Sequence, residues 1–265
     1  MKEAILSLLS STYPWKDRLH HLPVTDSTND QLRLLARQGA PHGTVLIADH
    51  QTGGHGRRGR SFHSPQGLGI YFSILLRPEC APTDLMHLTC AAAVAMCDAV
   101  EASAGFRPGI KWTNDLVYQK RKLGGILTEL GFTPKGTLDY AIIGIGINCC
   151  QRDSDFPEDI RSFAGSLSMV TGADIHRSKV AAAMAEALWH MDSRLLTQKT
   201  DILCQYRSDC VTVGQDISLV RGEEVRHGKA LDIDEAGALI VSFPDGHIEA
   251  VNSGEISIRG MYGYV

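Results

Sequence analysis

DYAIIGIGINCC, residues 139–150, is the most apolar run of the chain, and the segment directly after it decides the fold. A short apolar run with polar flanks reads as a buried strand. Gly144 and Gly146 alternate with isoleucines inside it. Glycine weakens a strand interior unless a ligand or another backbone must come close. A dinucleotide-binding turn would need a third glycine and a helix directly afterwards. Both are missing here, because the chain runs on into an irregular loop rich in Asp and Pro. The dinucleotide reading fails, and the strand needs neighbours of another kind.

Those neighbours lie upstream. TVLIAD (44–49) and GIYFSILLR (69–77) read as strands, and IKWTNDLVY (110–118) and KLGGILTEL (122–130) as two more around a short polar turn. Residues 27–39 read as a helix with Ser27 as N-cap, Asp30 completing a capping box and Gly39 as the stop. Residues 83–103 form a second helix, with Leu85, Leu88, Ala92, Ala95 and Ala99 on one face. Residues 178–196 form a third, with Val180, Met184, Ala187, Met191 and Leu195 sharing a face. AILSLLS near the start reads as a helix or strand start. Strands and helices do not alternate strictly, which predicts an α+β fold with a mixed or antiparallel sheet and flanking helices. From about residue 212 the texture changes to short β-rich runs (DISLVR, EEVRHGKALDID, GALIVSF, HIEAV, ISIR) with a turn at Pro244-Asp245-Gly246. That predicts a small SH3-like β-barrel over 212–265 after a larger domain over 1–211.

Composition narrows the class. The 265 residues carry 26 Lys and Arg against 30 Asp and Glu, a formal charge of −4. A general polyanion binder is more often basic overall. No apolar run reaches the roughly 18 residues of a membrane span, and the N-terminus lacks a convincing signal-peptide cleavage site. Seven cysteines without a CxxC pair fit a reducing cytoplasm better than a disulfide framework. Adjacent Cys149 and Cys150 read as small core residues.

Against that acidic background stands HQTGGHGRRGR (50–60), with four glycines and three arginines. Glycine lets backbone N–H groups approach a ligand, and arginine supplies fixed charge and a fork of donors. The pair of features suggests a loop that holds phosphate; the alternative is a solvated basic loop. Ser27-Thr28-Asn29 is a helix N-terminus, which alone explains Ser27, and such N–H groups also host carboxylate or urea-like oxygens. KWTND (111–115) sets Lys, Asn and Asp at a strand end, or is simply an exposed strand end with a buried Trp. RKLGGIL (121–127) sets a Lys before two glycines within an apolar strand.

No one of these motifs is specific, but their order is. STN, then QxGGxGRRGR, KWxND, RKLGGIL and GIGIN, resembles the catalytic domain of the biotin–protein ligases, and the β-rich end resembles their C-terminal domain. The resemblance covers the chain from about residue 20 to its end. It implies a class II synthetase-like fold of the biotin and lipoate ligases. It also implies that Ser27, Thr28, Asn29 and Gln51 bind the ureido end of biotin. Residues 54–60, including Gly54, His55 and Gly56, would cover biotin, with Arg57 and Arg60 on the phosphates. Lys122 would reach the biotin carboxylate and the α-phosphate. Gly144 and Gly146 would leave room for the ligand, and Asn148 would lie near the nucleotide. Lys111, Asn114 and Gly125 complete the implied ligand-binding set. Asp115 would orient Lys122, coordinate Mg²⁺ or receive the acceptor's proton, and Arg259 would contact the nucleotide across the domain interface. Two departures from the family pattern stand out: His55 replaces a fixed cation, and Thr113 replaces the proline of KWPND.

The reaction so implied has two steps. Biotin attacks the α-phosphate of ATP to give biotinyl-5′-AMP, and a lysine of a biotin carboxyl carrier domain then displaces AMP. The carrier would belong to acetyl-CoA carboxylase or another biotin-dependent carboxylase. Lys122, Asp115 and Arg57 carry the chemistry in this reading, with Mg²⁺ as the metal. The glycine loop is expected to be mobile without ligand and to close as a lid. Only about twenty residues precede STN, too few for a helix-turn-helix, so no DNA and no membrane partner is expected, and the protein is expected to be a monomer or homodimer. The alternatives are a lipoate or octanoate ligase of the same superfamily, a phosphate-backbone nucleic-acid-binding module, and a catalytically dead effector binder.

Overall fold

A computed structural model of the chain describes residues 1–252 and the backbone of Ser257–Arg259. The elements run α1 (Lys2–Leu6), β1 (Leu19–Leu22), α2 (Thr28–Arg37), β2 (Thr44–Ala48), β3 (Gly69–Leu76) and α3 (Leu88–Ala104). After these come β4 (Gly109–Lys111), β5 (Asp115–Tyr118), β6 (Arg121–Phe132) and β7 (Leu138–Asn148). Four helices come next: α4 (Glu158–Arg161), α5 (Leu167–Thr171), α6 (Arg177–Arg194) and α7 (Lys199–Asp209). The chain closes with β8 (Asp216–Arg221), β9 (Glu224–Ile233), β10 (Leu239–Ser242), β11 (Ile248–Val251) and β12 (Ser257–Arg259).

Seven strands form one sheet in the order β1-β2-β3-β7-β6-β5-β4. Only β1 and β2 pair in parallel, with α2 as their crossover; every other neighbouring pair is antiparallel. The sheet is therefore mixed, as the lack of strict βαβ alternation predicts. Alternation along β7 then assigns its two faces. Ile143, Ile145 and Ile147 join the main core with residues of α3, α6 and α7. Tyr140 and Ile142 pack with Leu32 and Ala36 of α2. Gly144 and Gly146 continue the α2 side, where the missing side chains leave a hollow.

Ser27 caps α2, its hydroxyl accepting from the Asp30 N–H at 3.4 Å, and Gly39 turns with φ +87 just past the end. The capping box does not close. The Asp30 carboxylate is taken by Arg33 and His55, while the Ser27 N–H donates to Asp26 instead. The second helix starts later than its apolar spacing suggests: residues 82–85 make a separate 3₁₀ turn beginning at Pro82. Residues 82–104 together are apolar and long enough to cross a membrane, which corrects the expectation that no such run exists, but most of that stretch is buried in the core.

Residues 110–118 are two strands and not one. KWTND is the turn of the β4–β5 hairpin, with Lys111, Trp112 and Thr113 all buried. The C-terminal sheet has the order β11-β10-β9-β8-β12 and is antiparallel throughout. The Asp245-Gly246 turn joins β10 to β11, with Gly246 at φ +85. This sheet joins the larger body through a continuous core, and the Trp112 indole N–H donates to Gly237 O at 3.0 Å.

Candidate active site

One cleft gathers most of the residues that the motifs single out. It lies on the α2 side of the sheet and is lined by Ser27, Thr28, Asn29, Gln51, His55, Gly56, Arg57, Arg60, Lys111, Asn114, Asp115, Lys122, Gly125, Gly144 and Gly146. Four separate stretches of sequence thus meet where the backbone of β7 lacks side chains.

The polar end forms at the start of α2. Gln51 Oε1 accepts from the Thr28 N–H at 2.8 Å and from its hydroxyl at 3.0 Å, so a loop side chain satisfies an open helix donor. Ser73 lies opposite Gly144 in the β3–β7 register and donates to Asn29 Oδ1 at 2.6 Å. A Cβ on Gly144 would run into the Asn29 amide, and one on Gly146 would enter the Phe62 ring. The two glycines are therefore required by space and not by backbone angle.

The cationic end forms on β5 and β6. One extra residue, Leu123, separates the partners of Leu116 and Val117, a bulge that brings Lys122 to the cleft side. Lys122 Nζ meets Asp115 Oδ1 at 2.7 Å, and a Cβ on Gly125 would touch both partners. The Lys122 backbone is fixed by residues 163–165, through Lys122 N–H to Phe163 O at 2.7 Å and Gly165 N–H to Lys122 O at 2.9 Å. Lys111 is only 5% exposed. Burial pulls its pKa down to about 8, with Lys122 and Arg60 pushing the same way and Asp115 opposing.

The basic loop folds back over this cleft. His55 bridges to Ser61, Phe62 N–H donates to Gly54 O at 2.8 Å, and residues 57–59 make a 3₁₀ turn in which Arg58 takes φ 60. Arg57 donates to Asn114 Oδ1 at 3.0 Å, and Asn114 is itself tied to Ile126 of β6. Burial lowers the pKa of Arg57, so the loop holds a desolvated cation facing the strands. The loop's hydrogen bonds give it a defined path over the cleft.

Two expected residues sit differently. Asn148 does not line the cleft: its amide donates to Gly165 O at 2.9 Å and accepts from Gln151, holding the segment behind Lys122. Gly54 packs beneath the loop, where a Cβ would meet Ser64 Oγ at 2.7 Å and Phe62 O at 2.8 Å. The Arg259 side chain lies outside the described residues. Sequence reasoning missed Ser61, Phe62, Trp112, Ile126, Leu127, Ile145 and Phe163, which also line the cleft. Ile145 and Leu127 were visible as neighbours of glycine-bearing positions; Phe163 comes from a segment with no local signal. Among the described residues no group of three or more His, Cys, Asp or Glu could hold a metal ion. Among the described residues Asp115 is the one carboxylate lining this cleft, and one carboxylate with substrate phosphates is a normal Mg²⁺ arrangement.

Comparison with known proteins gives the geometry a family. Residues 21–148 match the biotin/lipoate A/B protein ligase family, and residues 212–259 match the biotin protein ligase C-terminal domain. The bifunctional ligase/repressor BirA of Bacillus spizizenii is 35% identical over 236 residues, covering 89% of this chain and 72% of its own. The biotin–[acetyl-CoA-carboxylase] ligase of Mycobacterium tuberculosis is 30% identical, covering 94% and 91%. The biotin protein ligase of Aquifex aeolicus, solved with biotin and ATP, superposes with a TM-score of 0.77 at 31% identity, covering 91% of this chain and 98% of that one. This chain belongs to the biotin protein ligases, within the biotin/lipoate A/B protein ligase family.

Proposed function

We propose that the cleft activates biotin with ATP to biotinyl-5′-AMP and then passes biotin to a lysine of a biotin carboxyl carrier domain, that of acetyl-CoA carboxylase or a related carboxylase. The observation that carries this reading is the meeting, in one cleft, of the Ser27–Asn29 helix start, the β7 glycines, the loop arginines and the Lys122–Asp115 pair. The names of the relatives support it.

In the first step a carboxylate oxygen of biotin attacks the α-phosphorus, and the bond to the β-phosphate oxygen breaks. Pyrophosphate leaves with the electron pair. Two anions must meet, so the site needs cations that are already in place. Arg57, Arg60 and Lys122 supply them, and charge-assisted hydrogen bonds of this kind contribute about 1.5–3 kcal/mol each. Asp115 orients Lys122 toward the reacting groups. Mg²⁺ bound with the nucleotide would supply positive charge to the phosphates, and Asp115 would be the carboxylate to hold it. In the second step the acceptor amine attacks the acyl carbon and AMP departs. That amine must lose a proton, since a free Lys titrates near 10.4. Asp115 is the candidate to accept or relay it.

We further propose that residues 1–211 form the catalytic unit and residues 212–265 a C-terminal unit. Incubation with MgATP and either biotin, lipoate or octanoate, with mass spectrometry of the acyl-adenylate, tests the activity. Biotinyl-5′-AMP is expected; faster adenylation of lipoate or octanoate overturns the choice of substrate.

A further inference from the structure

Asn29 is not free to choose how it faces a ligand. Its Nδ2 donates to Glu129 Oε2 at 2.7 Å, and its Oδ1 accepts from the Ser73 hydroxyl at 2.6 Å. An ionised carboxylate can only accept. Glu129 therefore forces the amide nitrogen of Asn29 toward β6 and the amide oxygen toward β3. Glu129 is held in turn: its Oε1 accepts from Arg33 Nη2 at 2.7 Å, and Arg33 Nη1 donates to Asp30 at 2.6 Å. The chain of contacts ends on the loop, where His55 Nε2 meets Asp30 Oδ2 at 2.9 Å.

We infer that Glu129, fixed by Arg33, is a positioning residue that sets the hydrogen-bonding polarity of Asn29 for the ureido end of biotin. The inference rests on the proposed role of Asn29 in biotin binding. Glu129 does not line the cleft; it acts through Asn29. A ureido group carries one carbonyl acceptor and two N–H donors in fixed order. An amide flipped end for end would set donor against donor, and a site built on polar pairing discriminates strongly when one pair is lost. Without Glu129, Ser73 alone would not fix the flip, since a hydroxyl both donates and accepts.

The test uses the pull of Arg33. In Glu129→Gln, the guanidinium draws the new amide oxygen, so the amide nitrogen turns to Asn29 and reverses it. Biotin affinity measured by calorimetry is expected to fall about 10-fold or more, with ATP affinity and melting temperature nearly unchanged. Removing that pull in the double variant Glu129→Gln with Arg33→Met lets the Gln oxygen face Asn29 again, and biotin affinity recovers. Glu129→Asp keeps an acceptor-only carboxylate and binds biotin more tightly than Glu129→Gln. Equal biotin affinity in wild type and Glu129→Gln, loss of ATP and biotin affinity together, or no recovery in the double variant overturns the role of Glu129. Failure of the wild type itself to bind biotin instead overturns the functional reading beneath it.

Discussion

Gly59 of the basic loop and the two glycines of β7 are there for opposite reasons. In the loop, Gly59 has φ +72 and a Cβ there would meet nothing within 4 Å. Its glycine is about the path of the chain. In β7, a Cβ on Gly144 or Gly146 would collide with Asn29 or Phe62, while the backbone is ordinary strand. Those glycines are about space. Position 59 can thus tolerate a methyl group at a cost in backbone strain, whereas the strand cannot accept one without displacing the groups that shape the cleft. Rigid elements carry the shape of the site, and the loop carries the cations that close over it.

This contrast orders the effects of mutation. The largest is expected on the strand side, at Lys122. Replacement by Ala or by Met should slow adenylation about 100-fold or more, a barrier rise of about 3 kcal/mol. Met keeps most of the packing of the stem, so equal loss in both assigns the effect to charge. Near-normal single-turnover rates in both variants would remove Lys122 from the mechanism. Next come the glycines themselves. Overpacking costs about 1–3 kcal/mol, so Gly144→Ala should weaken biotin binding about 10-fold or more, measured by calorimetry. Gly59→Ala, with about 1 kcal/mol of left-handed strain, should change it about fivefold at most. A reversed order would break the distinction between space and path.

Smaller still is a pH effect at Lys111. Burial favours its neutral form in the folded protein, which loses the proton near pH 8, whereas an unfolded Lys loses it near 10.4. The cost of burying this charge is full below pH 8. It falls away as pH rises toward 10.4, so the stability contribution of Lys111 improves over that window. Its use to phosphate runs the other way. The kcat/KM for ATP should fall severalfold as pH passes about 8, and Lys111→Arg, with a fixed charge, should flatten that limb. A profile that is the same in both proteins would remove Lys111 from nucleotide binding. The gentlest probe is trypsin. Ordering a loop residue costs about 1–2 kcal/mol of backbone entropy, so biotin with MgATP should protect the bonds after Arg57 and Arg58 strongly, and ATP alone weakly. Equal cleavage with and without both ligands would mean that the loop does not act as a lid.

Much of the molecule was legible in the sequence because it is local. Strands β2, β3 and β7 and the face of α6 arise from short apolar runs and helical spacing, and the glycines of GIGIN announce close approach. The features that were not legible depend on partners far along the chain. Asp30 looks like half of a capping box, but Arg33 and His55 claim its carboxylate. Residues 110–118 look like one strand because the apolar pattern continues through a turn whose residues are buried for tertiary reasons. Lys122 reaches the cleft only through the bulge at Leu123, a matter of register with β5. Asn148 carries a side chain suited to a ligand, yet its amide is spent on Gly165 and Gln151. Helix α7 has little apolar periodicity to reveal it; its buried Ile202, Leu203 and Tyr206 are only three of eleven residues.

The proposed chemistry has one place: the hollow above Gly144 and Gly146, closed by the loop. A crystal of the protein grown with biotin and ATP tests that placement directly. Difference density for biotinyl-5′-AMP is predicted with the ureido ring between Asn29 and the β7 glycines, and with the phosphate among Arg57, Arg60 and Lys122. Density for the adenylate elsewhere on the molecule, or in this cleft but with its phosphate away from those three cations, would contradict it.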